Sequence, residues 1–132
     1  MPLFDFTKHM EPVTAIRKRT LKMILEASKS QFPEEFAALL KVDKGVIKEL
    51  WLLPGTESGE TSALFRLNML PREPKVVGTV HSHPAGGCRP SDADLDLFTR
   101  FGYCHIIACA PYGPKNWSCY DGNGNRRKLE VV

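Results

Sequence analysis

Residues 76–94 read VVGTVHSHPAGGCRPSDAD and carry the strongest structural and chemical signal in the chain. The β-branched run Val76–His81 predicts a strand, which Pro84 brings to an end. Side chains two residues apart project from the same face of a strand, so His81 and His83 are expected to lie side by side. Two imidazoles at this spacing are typical of a metal-binding pair, although exposed histidines at a strand end would give the same pattern.

Two residues downstream of this pair have the spacing of a helix start. Ser91 and Asp94 form a Ser-x-x-Asp pattern ahead of apolar residues, which in most proteins only caps a helix. Beside His-x-His, Asp94 is also a candidate third ligand. Two histidines and one carboxylate leave one position for water, as in catalytic zinc sites. Glu34 and Glu35, ahead of an apolar stretch, are candidate proton carriers or simply a solvated strand end.

The rest of the pattern predicts a mixed sheet with two helices. The helices are residues 13–30, with Thr14 as a candidate N-cap, and Ser91–Phe101. Residues 1–12 are predicted to form an extended N-terminal arm. The predicted strands are Glu35–Leu40, Val46–Leu53, Thr61–Asn68, Val76–His81, Cys104–Ala110, Trp117–Tyr120 and Arg127–Val132. We therefore predict an α/β (α+β) fold in which helices flank a mixed β-sheet, as one domain spanning residues 1–132.

Composition excludes several protein classes. The chain has 132 residues, 42% hydrophobic and 25% charged, which is ordinary for one globular domain. The net charge of +3 is too small to indicate a nucleic-acid partner. No signal peptide is apparent at the start, and no apolar run approaches the roughly 20 residues of a membrane span. These features predict a cytoplasmic protein without nucleic-acid or membrane partners.

Cysteines and basic clusters have unremarkable interpretations. The four cysteines Cys88, Cys104, Cys109 and Cys119 contain no C-x-x-C pair, which argues against a structural zinc ribbon. Buried free thiols are the default expectation in a reducing compartment, with one disulfide as the alternative. The basic clusters 17–19 and 126–128 are predicted to be solvated surface.

The full set of site residues resembles the JAMM (MPN+) metalloprotease family. The motif reads His81-Ser82-His83-Pro84, then Ser91 and Asp94, with residues 84–90 as the seven-residue spacer. Glu35, at the head of an apolar strand, matches the family's upstream glutamate. The chain is most similar to small stand-alone archaeal members.

This resemblance implies a fold, a cofactor and a reaction. The fold would be the MPN fold, which is related to that of cytidine deaminases. His81, His83 and Asp94 would bind zinc, Glu35 would be the general base, and Ser91 would support the oxyanion. The reaction would be hydrolysis of peptide or isopeptide bonds next to the C-terminal Gly-Gly of ubiquitin-like proteins.

Three alternative functions share all or part of this fold and site. A peptidase that trims the C-terminus of a sulfur-carrier protein, in cysteine or cofactor biosynthesis, would use the same fold and site. A zinc nucleobase deaminase needs His-x-Glu and Pro-Cys-x-x-Cys, and neither string is present. A non-enzymatic MPN scaffold usually lacks the ligands. The natural substrate and the oligomeric state, a homodimer included, stay open at this stage, and the brief loops 54–60 and 84–90 predict weak linkage selectivity.

Overall fold

A computed structural model describes residues 12–52 and 75–132. The predicted strand Thr61–Asn68, the loop 54–60 and nearly all of the predicted arm lie outside these residues. In chain order the elements are β1 (Ala15–Ile16), α1 (Lys18–Gln31), β2 (Ala37–Asp43), β3 (Val46–Leu52), β4 (Val76–His83), α2 (Asp92–Arg100), β5 (His105–Cys109), β6 (Trp117–Tyr120) and β7 (Glu130–Val131). Neither described helix is long and apolar enough to cross a membrane.

The described strands form one mixed sheet in the order β6-β5-β4-β2-β3-β1-β7. β2 pairs antiparallel with β3 and with β4, whereas β4 and β5 run parallel. Strand β4 therefore has a neighbour on each side, with Ala37 of β2 opposite His81 and Ile107 of β5 beside it. The prediction of a mixed sheet flanked by helices is confirmed.

The two helices cover opposite faces of the sheet. Alternate residues of β2 divide between two apolar clusters, because successive side chains of a strand point to opposite sides. Ala38, Leu40 and Val42 pack with α1, whereas Ala37 and Leu39 pack on the α2 side. The cross-strand register puts His81 on the α2 side, so the candidate ligands lie under α2 rather than α1.

The start of the first helix differs from the prediction. α1 begins at Lys18, its N-cap is Arg17, and no side chain caps it, so Thr14 is not the cap. Ala15 and Ile16 instead form β1, parallel to β3 and to β7. The apolar Ile16 fits the periodicity of a helix as well as that of a strand. Its pairing with strands distant in sequence makes it part of a strand, and a local sequence pattern does not reveal that pairing.

Several other boundaries, and the surroundings of Arg127, differ from the prediction. β2 begins at Ala37 rather than Glu35, and the last strand is only Glu130–Val131. β4 continues through His83, where Pro84 ends it as expected. Arg127 was predicted to be solvated, but its guanidinium donates to the carbonyls of Val13 and Tyr103.

Candidate metal centre

Strand β4 delivers both histidines to one place at its carboxyl end. The rings of His81 and His83 have centroids 5.0 Å apart, and their Nε2 atoms are 3.2 Å apart. The side chain of His81 is 4% exposed and that of His83 is 11% exposed. The strand period thus places two nitrogen donors together in a nearly buried position.

Helix α2 delivers the carboxylate. Ser91 is the N-cap, and its Oγ accepts from the Asp94 N–H at 3.1 Å, while the Ser91 N–H donates to Asp94 Oδ2 at 2.8 Å. This capping box fixes a fully buried Asp94, whose Oδ1 lies 2.9 Å from His81 Nε2 and whose Oδ2 lies 3.0 Å from His83 Nε2. Helix capping and ligand placement are therefore served by the same contacts.

The donor atoms of His81, His83 and Asp94 lie close enough together to share one metal ion. Ligand atoms of His81, His83 and Asp94 all lie within 4.8 Å of one another. Ligands about 2.0–2.2 Å from a tetrahedral zinc ion are separated from each other by about 3.3 Å. The two Nε2 atoms are 3.2 Å apart, close to that value, and each of them lies within 3.0 Å of a different oxygen of the Asp94 carboxylate. A buried carboxylate facing two imidazole nitrogens fits a divalent cation of the zinc type.

The loop after β4 sets the orientation of one imidazole. His83 Nδ1 lies 2.9 Å from the carbonyl oxygen of Gly87, which only accepts hydrogen bonds. The proton of a neutral ring therefore belongs on Nδ1, and Nε2 keeps its lone pair for a metal. Gly87 has φ +77°, a conformation that glycine adopts without a steric penalty. This contact was not predicted from the sequence.

A disulfide ties the same loop to the sheet. Cys88 is bonded to Cys109 at the end of β5, so the expectation of free thiols is wrong for these two residues, whereas Cys104 and Cys119 are free. The Tyr120 hydroxyl also donates to the Cys88 carbonyl at 2.7 Å. No local pattern could pair Cys88 with Cys109, because their proximity depends on β4 lying beside β5.

Glu35 lies near the three candidate ligands. The antiparallel register pairs Ala37 with His81, and its continuation by two residues puts Glu35 opposite His83. Burial raises the pKa of the Glu35 carboxyl, while the charges of His81 and His83 oppose the rise and that of Asp94 adds to it. Glu34, the other candidate proton carrier, is exposed.

The family is decided by the sequence match. Residues 17–120 match the family described as prokaryotic homologs of the JAB domain. The chain belongs to the prokaryotic JAB-domain family. A protein of Haloferax volcanii described as a "Probable metalloprotease" is 40% identical to this JAB-domain chain over 130 residues, covering 91% of this chain and 80% of the relative.

Solved structures agree with this assignment. A JAB1/MPN domain protein from Archaeoglobus fulgidus has 47% identity and a TM-score of 0.74, covering 91% of this chain and 98% of its own. A structure described as a JAMM metalloprotease-like zinc site in the proteasome and signalosome has 46% identity and a TM-score of 0.72 over the same shares of the two chains. The expected MPN fold and the resemblance to JAMM proteins are both confirmed.

The family and the donor set together support a metallopeptidase with a metal site, most consistent with zinc. The roles assigned to Glu35 and Ser91 are predictions that geometry makes chemically reasonable. Ser91 is exposed, and a hydroxyl that accepts from the Asp94 N–H can donate at the same time. The JAB-domain chain thus brings the candidate ligands, Glu35 and the Ser91 hydroxyl to one end of the sheet.

Proposed function

We propose that this protein is a zinc-dependent peptidase and isopeptidase that cleaves after the C-terminal Gly-Gly of ubiquitin-like proteins. The observation that carries the proposal is the convergence of His81, His83 and Asp94, with their ligand atoms within 4.8 Å, beside a partly buried Glu35. A two-nitrogen, one-oxygen donor set with a neighbouring carboxylate is the arrangement of hydrolytic zinc sites.

Access to the ligands favours a thin, extended substrate. Asp94 is fully buried, and the His83 side chain is the most exposed of the three ligands at only 11%. A folded protein surface cannot approach so enclosed a centre. A chain segment whose residues next to the scissile bond lack side chains can do so, and a Gly-Gly tail has that property.

The protein's own groups would divide the work of hydrolysis. Zinc held by His81, His83 and Asp94 would act as a Lewis acid and would lower the pKa of water to about 7. The Glu35 carboxylate takes a proton from the attacking water and returns it to the nitrogen of the leaving amine. Burial raises the pKa of Glu35, which makes this carboxylate a better proton acceptor. The Gly87 carbonyl keeps the His83 ring oriented throughout.

Ser91 would act on the substrate carbonyl. Its exposed hydroxyl lies at the N-terminus of α2, where the oxygen accepts a hydrogen bond from the Asp94 N–H. The hydroxyl proton can be donated to the carbonyl oxygen, where negative charge develops during attack. Loss of a donor of this kind typically costs about 10²–10³-fold in rate.

The decisive experiment compares two neighbouring glutamates. The zinc-loaded protein is given a ubiquitin-like protein fused through its Gly-Gly terminus to a second folded domain. Glu35→Gln should reduce cleavage by about 10²–10⁴-fold because the proton carrier is lost. Glu34→Gln, which alters an exposed side chain one residue away, should cleave at the wild-type rate. Bound zinc, measured by elemental analysis, should be equal in all three proteins.

Each other outcome has a defined meaning. Wild-type cleavage by Glu35→Gln with loss in Glu34→Gln would transfer the base to Glu34. Cleavage that survives removal of zinc by a chelator would contradict a metallopeptidase. Cleavage of a short C-terminal extension of a sulfur-carrier protein, without cleavage of the folded fusion, would replace the proposed deconjugation by precursor trimming. The proposed partners are these small proteins in the cytoplasm, with neither nucleic acid nor membrane.

A further inference from the structure

We infer that Ser82, the residue between the two histidines, is a positioning residue that holds Glu35 against the metal centre. This inference rests on the proposed peptidase function, because it concerns the placement of the proposed general base. Ser82 is fully buried, and its side chain points to the face of β4 opposite to the imidazoles. It therefore acts on the site through another residue.

Ser82 makes a reciprocal pair of hydrogen bonds with the residue after Glu35. Its Oγ accepts from the Phe36 N–H at 2.7 Å, and its own N–H donates to the Phe36 carbonyl at 2.9 Å. Phe36 is 4% exposed, so the amide has no access to solvent as an alternative partner. These two bonds continue the register of β2 and β4 beyond the last strand pair, Ala37 with His81.

Glu35 depends on this attachment because it stands on a connector rather than in a strand. The connector runs from the end of α1 at Gln31 to the start of β2 at Ala37. The Glu35 carbonyl accepts a long, solvent-exposed hydrogen bond of 3.5 Å from Gln31 Nε2. The bonds to the neighbouring Phe36 are short and buried, and they connect this segment directly to the strand that carries the ligands.

Tyr112 supports the same connector from the loop after β5. Its ring lies edge-on to Phe32 with centroids 6.5 Å apart, near the beginning of the connector. Burial raises the pKa of its phenol, the nearby Ser82 hydroxyl opposes that rise, and the Glu35 charge adds to it. The Tyr112 ring and the Ser82 hydroxyl thus contact the connector on either side of Glu35.

Loss of the Ser82 hydroxyl would leave the Phe36 N–H buried without its acceptor. The connector would shift to find another partner, because an unpaired buried donor is unfavourable. A shift of this kind displaces Glu35 relative to His81 and His83 without altering the ligands themselves. Misplacement of a catalytic group by about 1 Å can reduce a rate by about 10²-fold.

The test separates placement of Glu35 from general stability. Ser82→Ala should lower kcat about 10–100-fold in the fusion-cleavage assay, with KM within about twofold and bound zinc unchanged. Ser82→Thr keeps the hydroxyl and should restore most of kcat. Ser28→Ala is the matched control, because Ser28 is equally buried and also loses one hydrogen bond, to the Ile24 carbonyl in α1. This control should retain wild-type kcat.

A second readout does not depend on cleavage. Hydrogen exchange of the Phe36 amide, followed by NMR, should be at least about tenfold faster in Ser82→Ala and unchanged in Ser28→Ala. The inference is overturned if kcat of Ser82→Ala stays within twofold of wild type, if zinc is lost in step with activity, or if Ser82→Thr is no better than Ser82→Ala. It is also overturned if Phe36 exchange does not respond. A wild-type protein that fails to cleave would refute the proposed function instead, and exchange would still decide whether Ser82 anchors the segment.

Discussion

His83 and His105 lie on the same side of the sheet, but His83 faces a carboxylate whereas His105 is buried against an aromatic ring. His83 has one nitrogen on the Gly87 carbonyl and the other 3.0 Å from the Asp94 carboxylate. His105 is fully buried, with Nδ1 at 2.8 Å from Thr79 Oγ1 and its ring stacked on Phe98 at a centroid distance of 4.2 Å. Burial lowers the pKa of His105 to about 3.

The difference originates in one helix. Asp94 and Phe98 are one turn apart on α2 and are both fully buried against the sheet. The carboxylate faces the end of β4, and the aromatic ring covers the start of β5. One turn therefore supplies a carboxylate as a candidate metal ligand, and the next supplies an aromatic ring that covers His105. Histidine identity alone does not distinguish a metal ligand from a core residue.

The largest effect is expected from changing the polar turn of α2. Asp94→Asn preserves size but removes the carboxylate that faces both imidazoles. We expect zinc affinity to fall by more than about 100-fold, because loss of a direct ligand exceeds the 10–100-fold that outer contacts typically contribute. Competition with a fluorescent zinc chelator measures the change.

Asp92→Asn is the matched control for that measurement. Asp92 lies in the same first turn of α2 but is exposed, so its replacement should leave zinc affinity unchanged. Equal affinities of Asp94→Asn and wild type would show that the histidines bind metal with a different third ligand.

The sequence predicted the surroundings of His83 better than those of His105. His81, His83, Ser91 and Asp94 are close in the chain, and the strand period and the capping pattern bring them together through local rules. Ser91 is the N-cap, as predicted. The cover over His105 requires α2 to cross β5, and no local pattern determines such a crossing. The sequence alone therefore assigns no role to His105.

Long-range contacts explain the other errors in the same way. Pairing of Ala15 with Val46 and Glu130 turned a predicted helix start into a strand. Arg127 was assigned to a solvated cluster, but its guanidinium reaches two carbonyls distant in sequence. Glu35 was predicted from the resemblance to a family motif, whereas its position near the candidate ligands depends on the β2–β4 register.

A second prediction concerns the loop that orients His83. The Cys88–Cys109 disulfide closes a loop with a sequence separation of 21. Removing it with Cys88→Ser and Cys109→Ser together should lower the free energy of unfolding by about 3 kcal/mol, mainly through greater entropy of the unfolded chain. Urea titration of the metal-free protein at pH 7 measures the change.

A reducing agent provides the control for this variant. Reduction should destabilise the wild-type protein by a similar amount and leave the double variant unaffected. The free thiols of Cys104 and Cys119 are buried and present in both proteins, so they do not contribute to the difference. A reductant that changes both proteins equally would contradict a stabilising role for this disulfide.

The smallest expected effect is a loss of folding stability at acidic pH that is caused by the buried imidazole of His105. The folded pKa of His105 is about 3, below the ordinary value of 6.5, so the unfolded chain binds one more proton between these pH values. Stability is therefore lost as pH falls below about 6.5, by at most about 1.4 kcal/mol per pH unit. His105→Gln removes this titration while retaining polar atoms that can reach Thr79.

The test compares how steeply the free energy of unfolding changes with pH in the two proteins. Unfolding free energies of metal-free wild type and His105→Gln are determined by urea titration at several pH values from 6 to 4. All other side chains are the same in both proteins, so the comparison isolates residue 105, including its electrostatic interaction with His81. The wild type should lose about 1 kcal/mol more per pH unit than the variant, whatever their relative stability at pH 7. Parallel slopes would mean that His105 accepts a proton inside the folded protein, and Phe98 would then not seal this end of the α2 face.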